Sequence, residues 1–219
     1  VTTEYPKIYG PFKRHTEGPN RNQLIWGDWT MPEFGALAHI NWTWAEKIDG
    51  TSIRVFWNGH KVTYGGRTEA AQIPTTLLTA LDVMFPEELL EQTFGEQEVV
   101  LYGEGYGPKI QKAGGLYRAD QSFALFDVRI DQWWLECDNV HGIAKSLGIT
   151  AAPRDISVGT VQEALTAVAA GLKSQFGDFW AEGLVGTAPC GLLTRGGKRI
   201  QMKVKHADLF GKLPADYTV

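Results

Sequence analysis

Three observations on the 219-residue sequence predict an α+β fold with antiparallel sheets and helices packed outside them. Short runs of alternating polar and apolar residues recur along the chain, Asn58-Gly59 joins two of them as a tight hairpin, and segments with helical spacing fall between the runs. Gly and Pro are spread throughout rather than gathered in a linker, as many short strands joined by turns require. A hydrophobic content of 43% supports one substantial core, and we expect a single domain over 1–219.

Residues 1–40 read as an irregular N-terminal segment. A strand over Ile40 to Ala45 leads into a loop at Lys47, and Ser52 to Trp57 with Lys61 to Tyr64 form the hairpin around Asn58-Gly59. Leu77, Leu78, Leu81 and Met84 recur at helical spacing, and Pro86-Glu87-Glu88 suits the first turn of a second helix. Strands follow at Glu98 to Gly103 and Ser122 to Ile130, with a glycine-rich loop between them. A helix runs from Asp138 to a cap at Gly148. Thr160-Val161-Gln162-Glu163 has capping-box form and opens a helix to about Phe176; strands return at Gly183 to Thr187 and Arg199 to Lys205.

Composition narrows the function. A formal net charge of −4 excludes a protein that coats nucleic acid through bulk charge, so any such contact is local. Cys137 and Cys190 are too few for a disulfide framework or a cysteine zinc site and read as ordinary reduced thiols. The five histidines, 15, 39, 60, 141 and 206, show no metal-ligand spacing. No run approaches the ~18 apolar residues of a membrane span, and the start of the chain is polar, unlike a signal peptide. A soluble cytoplasmic protein is expected.

The final strand turns pattern into chemistry. Ile200, Met202 and Val204 alternate with Gln201, Lys203 and Lys205, so a period of two puts both lysines on one face, where their ammonium groups call for an anion. The same logic places Lys47 and Asp49 together if that segment is extended, and Gly50 permits close backbone approach. Taken singly, a Lys-x-Asp-Gly tetrapeptide is also a surface turn, and lysines on an edge strand are also a solvated face.

In order along the chain, Lys47-Ile48-Asp49-Gly50, Arg67, Glu104, Phe126-Asp127, Glu182-Gly183 and Lys203-Val204-Lys205 resemble the motif series of the covalent nucleotidyltransferases, the polynucleotide ligases and mRNA capping enzymes. The likeness runs from about Trp44 to Lys205. Within that superfamily Glu46-Lys47-Ile48-Asp49-Gly50-Thr51, Gly66-Arg67-Thr68 and Gly103-Glu104-Gly105 look most like ATP-dependent RNA ligases of the phage and trypanosome-editing kind. The resemblance implies an antiparallel-sheet adenylyltransferase domain in which Lys47 carries AMP and Lys203 and Lys205 contact the phosphate. It assigns Glu46, Asp49, Gly50, Arg67, Glu104, Phe126 and Glu182 to the nucleotide, with Phe126 stacked on the base. Glu182 and Glu104 would hold Mg²⁺ or Mn²⁺. Read without the family, Phe126 is equally a core residue, Arg67 a surface ion pair and Glu104 a paired carboxylate.

The implied function is an ATP-dependent RNA ligase that seals 5′-phosphate and 3′-hydroxyl ends through lysyl-AMP on Lys47. An ATP-dependent DNA ligase, or a nucleotide- and end-binding module that needs a partner protein, is the alternative; a GTP-using capping enzyme is further off. Relatives carry an oligonucleotide-binding or helical module after the last motif. None is expected here, and an accessory protein is a candidate replacement. Polynucleotide contact is expected at Lys109, Lys112 and Arg118, at Arg195, Lys198 and Arg199, and more loosely at Lys7, Lys13, Arg14 and Arg21. Trp42, Trp44, Trp57, Trp133 and Trp134 read as core or sheet-face packing.

Overall fold

The computed structural model describes residues 4–154, 156–214 and 217–218. They form two compact units. Of the described residues, the lysine unit takes Lys7–Lys47 and those from Pro153 onward; the six-strand unit takes Ile48–Ala152 with residues 4–6.

The lysine unit opens with strands β1 (Phe12–Arg14) and β2 (Leu24–Trp29), paired antiparallel, and helix α1 (Pro32–Ala36). The stretch expected to be irregular thus contains two short strands and a short helix among its described residues. At three residues β1 is too short to show a period; aromatic packing fixes it, with the Phe12 ring 4.8 Å from Trp29 and 5.6 Å from Trp26. Strand β3 (Thr43–Lys47) follows, so Lys47 is the last residue of a strand rather than part of a loop.

The six-strand unit contains β4 (Thr51–Trp57), β5 (Val62–Gly65), α2 (Thr75–Met84), α3 (Glu87–Phe94), β6 (Val99–Tyr106), α4 (Gly114–Tyr117), β7 (Ser122–Ile130), β8 (Trp133–Trp134), α5 (Cys137–Ser146) and β9 (Thr150–Ala151). Its sheet has the order β5-β4-β6-β7-β8, antiparallel throughout, with β9 pairing parallel to β7. The Asn58-Gly59 turn is made as the sequence predicts: the Asn58 side-chain oxygen accepts from the His60 and Lys61 N–H groups. Ile53, Val55 and Trp57 of β4, Leu101 of β6 and Phe123 and Leu125 of β7 bury one face of this sheet in a core with Leu77, Leu81 and Leu90 of α2 and α3. Each such side chain contributes about 1.5–3 kcal/mol by burial.

The chain then returns to the lysine unit with α6 (Val161–Ala170), β10 (Gly183–Thr187), β11 (Gln201–Lys205) and α7 (His206–Leu209). The capping box is present: the Thr160 hydroxyl accepts from the Glu163 N–H, and the Glu163 carboxylate accepts from the Thr160 N–H at 2.9 Å. Helix α6 ends at Ala170, earlier than expected, because Gly171 turns left-handed at φ 92°. A three-stranded antiparallel sheet, β11-β10-β3, packs Trp44, Leu184, Met202 and Val204 against Ala164, Leu165 and Val168 of α6. No helix among the described residues is long and apolar enough to cross a membrane.

Candidate active site

Register builds the charged face of the lysine unit. Gly183 of β10 lies directly opposite Lys47 on β3 and Lys205 on β11, so the two lysines flank one glycine in a single cross-strand row. Residues two steps along share that face, which adds Lys203, paired with Val185. The position between the two ammonium groups is taken by the carboxylate of Glu182: Lys47 Nζ donates to Oε2 at 2.6 Å, and Lys205 Nζ lies 3.0 Å from Oε1. Gly183 is required here. Its φ is 152°, and a Cβ would come within 1.9 Å of the Val204 carbonyl oxygen. Lys47 and Lys205 thus share one half-buried carboxylate, in a row that an anion can approach.

Glu46 points the other way. Along β3 the pattern buries Trp44 and Glu46 and leaves Ala45 and Lys47 on the opposite face. The Glu46 carboxylate accepts from the Ser174 hydroxyl at 2.5 Å and the Gln175 N–H at 2.7 Å. Burial nonetheless pushes its carboxyl above the ordinary value, outweighing the lowering effect of those two hydrogen bonds. Its side chain therefore anchors the 174–175 turn and does not share the face of Lys47.

The remaining nominated residues lie in the six-strand unit, with Glu104 and Phe126 on the sheet face opposite its core and Asp49, Gly50 and Arg67 in bends beside the strands. Ser52 and Arg54 of β4 stand across from Glu104 and Tyr102 of β6, and Tyr102 stands across from Asp127 of β7. Between β6 and β7 the register slips: Tyr102 pairs with Asp127 but Gly103 with Leu125, so Phe126 is the extra residue of a β-bulge. Alternation from Leu125 turns the half-buried Phe126 away from the core, and the bulge puts Asp127 on the same face beside it. The Tyr5 ring packs edge-on at 5.1 Å from Phe126, and its hydroxyl donates to Asp127 at 2.8 Å. Tyr102 and Trp134 complete an aromatic wall, with ring centroids 5.1 Å apart.

The Asp49-Gly50 turn is held by the glycine-rich loop: the Asp49 N–H donates to the Tyr117 hydroxyl at 3.0 Å, and the Gln111 amide donates to the Gly50 carbonyl at 3.1 Å. A Cβ on Gly50 would lie 2.3 Å from the Gly105 carbonyl oxygen and 2.8 Å from Glu104 Cγ, which explains the glycine by close approach. Arg67 is exposed in the bend after β5.

Among the basic stretches, Lys109, Lys112, Arg195 and Lys198 are exposed. Lys13 pairs with Asp28 at 2.7 Å, Arg14 with Asp208 at 2.6 Å and Arg118 with Asp120 at 2.5 Å. Trp42, Trp44 and Trp57 are buried, whereas Trp133 is 75% exposed and not a packing residue. Tyr5, Gln111, Tyr117 and the buried Arg54 were not nominated from sequence; only a three-dimensional register brings them to these places.

No cluster of three or more metal-ligating side chains occurs among the described residues. Magnesium or manganese fits this donor set all the same, since such ions take one or two carboxylates and complete their shell with phosphate oxygens and water. In the lysine unit Glu182 is a carboxylate of that kind.

The family model described as RNA ligase matches residues 40–205. No curated protein matches the sequence. Solved structures of a Naegleria gruberi RNA ligase share the fold. A lysine-to-alanine variant with ATP and Mn has a TM-score of 0.61 at 19% identity, over 80% of this chain and 52% of that one. A glutamate-to-alanine variant with AMP and Mn gives 0.63 at 20%, over 81% and 53%. An apo aspartate-to-alanine variant gives 0.62 at 19%, over 94% and 62%. The chain thus spans between half and two thirds of the length of these structures.

Proposed function

We propose a function for a chain that belongs to the RNA ligase family, as the match over residues 40–205 establishes: it is an ATP-dependent RNA ligase whose lysine unit forms lysyl-AMP on Lys47. The observation that carries this reading is the Lys47–Glu182–Lys205 bracket, with 2.6 Å and 3.0 Å contacts on either oxygen of one carboxylate. In this reading the nucleophilic amine and a phosphate-binding cation share one cross-strand row, on either side of Gly183.

The first step is in-line attack. Lys47 Nζ, having lost a proton, forms the N–P bond to the α-phosphate of ATP, and pyrophosphate leaves with the electrons of the P–O bond. Lys205 and Lys203 face the phosphate and offset the charge that builds on its oxygens. Glu182 fixes Lys47 before the nucleotide arrives and, with Glu104, supplies carboxylate oxygen to Mg²⁺ or Mn²⁺, which when bound neutralises phosphate charge. Phe126 offers a ring face to the base, Arg67 a guanidinium to the phosphate or ribose side, and Asp49 with Gly50 forms the turn that follows the nucleophile. AMP then passes from Lys47 to the 5′-phosphate of an RNA strand, and a 3′-hydroxyl displaces it as the strand closes.

Intact-protein mass after incubation with Mg²⁺ and ATP tests this. Wild type is expected to gain one AMP, and Lys47→Ala none, with unchanged folding by circular dichroism. Full labelling of Lys47→Ala would overturn the assignment. Labelling with GTP alone would point to capping chemistry, and no labelling of wild type would favour a module that acts only with a partner protein. Sealing of matched RNA and DNA nicks then separates the two ligase classes.

A further inference from the structure

Arg54 is a fully buried cation in the middle of β4, an uncommon place for a charge without a purpose. It stands on the sheet face opposite the core, across from Tyr102 on one side and Gly65 on the other. Its guanidinium passes beneath the end of β5. Nε donates to the Gly66 carbonyl at 2.7 Å, and Nη1 donates to the Glu69 carboxylate at 2.8 Å. Gly65 leaves the room for this, since a Cβ there would lie 3.0 Å from Nη2, and the Phe56 ring supports the guanidinium at 5.2 Å. The Thr68 carbonyl accepts from the Ala71 N–H at 3.1 Å and closes the bend.

The two anchors bracket Arg67. Gly66 precedes it and Glu69 follows it by two, so one rigid guanidinium fixes the backbone on either side of an otherwise exposed side chain. We propose that Arg54 is a positioning residue for Arg67: it does not touch the nucleotide but sets the bend from which Arg67 reaches it. The proposal rests on the reading of the chain as a lysine adenylyltransferase. Glu69 is the weak side of the clamp because its carboxylate is 77% exposed, and the Gly66 carbonyl is the strong side because it is buried. A lysine at position 54 keeps the charge but lacks the planar fork needed to hold both partners.

The test is a double-mutant cycle on lysyl-AMP formation with Arg54→Lys, Arg67→Ala and the pair, measured against ATP concentration. Arg54→Lys is chosen because Arg54→Ala strips both Glu69 and the buried Gly66 carbonyl of their donor and leaves a cavity in the sheet, which confounds a loss of positioning with a loss of folding. In the wild-type background Arg54→Lys is expected to raise the KM for ATP about tenfold with a smaller change in kcat, as loss of a charge-assisted hydrogen bond implies. In the Arg67→Ala background it is expected to change KM less than about twofold. Equal losses in both backgrounds would mean a role in general stability and would overturn the proposal. Hydrogen exchange supplies a readout independent of catalysis: the Ala71 amide, protected by its bond to the Thr68 carbonyl while the bend is intact, should exchange about tenfold faster in Arg54→Lys, with the core strands unchanged. Wild-type exchange in that bend would sink the positioning role whether or not the protein adenylylates itself, whereas absence of labelling in wild type with faster exchange in the variant would remove only the enzymatic reading.

Discussion

Glu46 and Lys47 are chain neighbours with opposite fates, because successive side chains on a strand point to opposite faces. Lys47 emerges on the charged face beside Glu182, and Glu46 is turned inward onto Ser174 and Gln175. Burial raises the Glu46 carboxyl above its ordinary 4.5. The folded protein therefore holds that proton more tightly than the unfolded chain does, and its contribution to stability is full below about pH 4.5. As pH rises from 4.5 through the raised folded value, the carboxyl ionises in its desolvated site and stability falls, levelling off above that value. Glu46→Gln removes this titration. Urea unfolding of both proteins from pH 4 to pH 8 is expected to show wild type losing stability relative to the variant across that window; a constant difference at every pH would refute the assignment.

Strands are the elements that carry the site, and their alternation was the readable part of it. Met202 and Val204 buried against Lys203 and Lys205 is a period-two pattern visible in five residues, as is the capping box that starts α6. The bulge in β7 was not visible, because Phe123-Ala124-Leu125-Phe126 is apolar throughout and one extra residue leaves no mark on such a run. Alternation from Phe123 and Leu125 turns Phe126 outward, and the bulge then keeps Asp127 on that same face beside it before Val128 returns to the core. Arg54 was hidden for the converse reason: an arginine alternating with Ile53 and Val55 reads as a solvated position, and only the β5 bend covers it. From the outward placement of Phe126 follows an expectation for Phe126→Ala. A base-stacking aromatic is worth about 1–3 kcal/mol, so ATP affinity should drop from about fivefold to more than a hundredfold. The melting temperature should move little because the ring lies outside the core. Isothermal titration with ATP alongside thermal unfolding checks both, and unchanged affinity would leave Phe126 as packing for Tyr5 alone.

For the molecule as a whole, the pairing of β3 with β10 brings residues 135 apart in sequence into one ion pair, and no local pattern encodes such a partner choice. Motif order along the chain stood in for it, since each motif already carried its residue type. Net charge was read directly, and it constrains how the protein meets a polyanion: at −4 overall, RNA is attracted only where cations are exposed and unopposed. Three of the nominated cations, Lys13, Arg14 and Arg118, pair with Asp28, Asp208 and Asp120, and Lys7, Arg21, Lys109, Lys112, Arg195 and Lys198 are the other exposed ones. Six phosphate contacts on a single strand give a slope of about −4 in a plot of log affinity against log salt. Fluorescence anisotropy with a 5′-phosphorylated RNA between 50 and 200 mM salt, concentrations that span the usual counterion-release range, reads that slope. Lys109→Ala with Lys112→Ala should make it shallower by about 1.4. A wild-type slope steeper than about −6 would require an extended basic track that this distribution of charge does not contain.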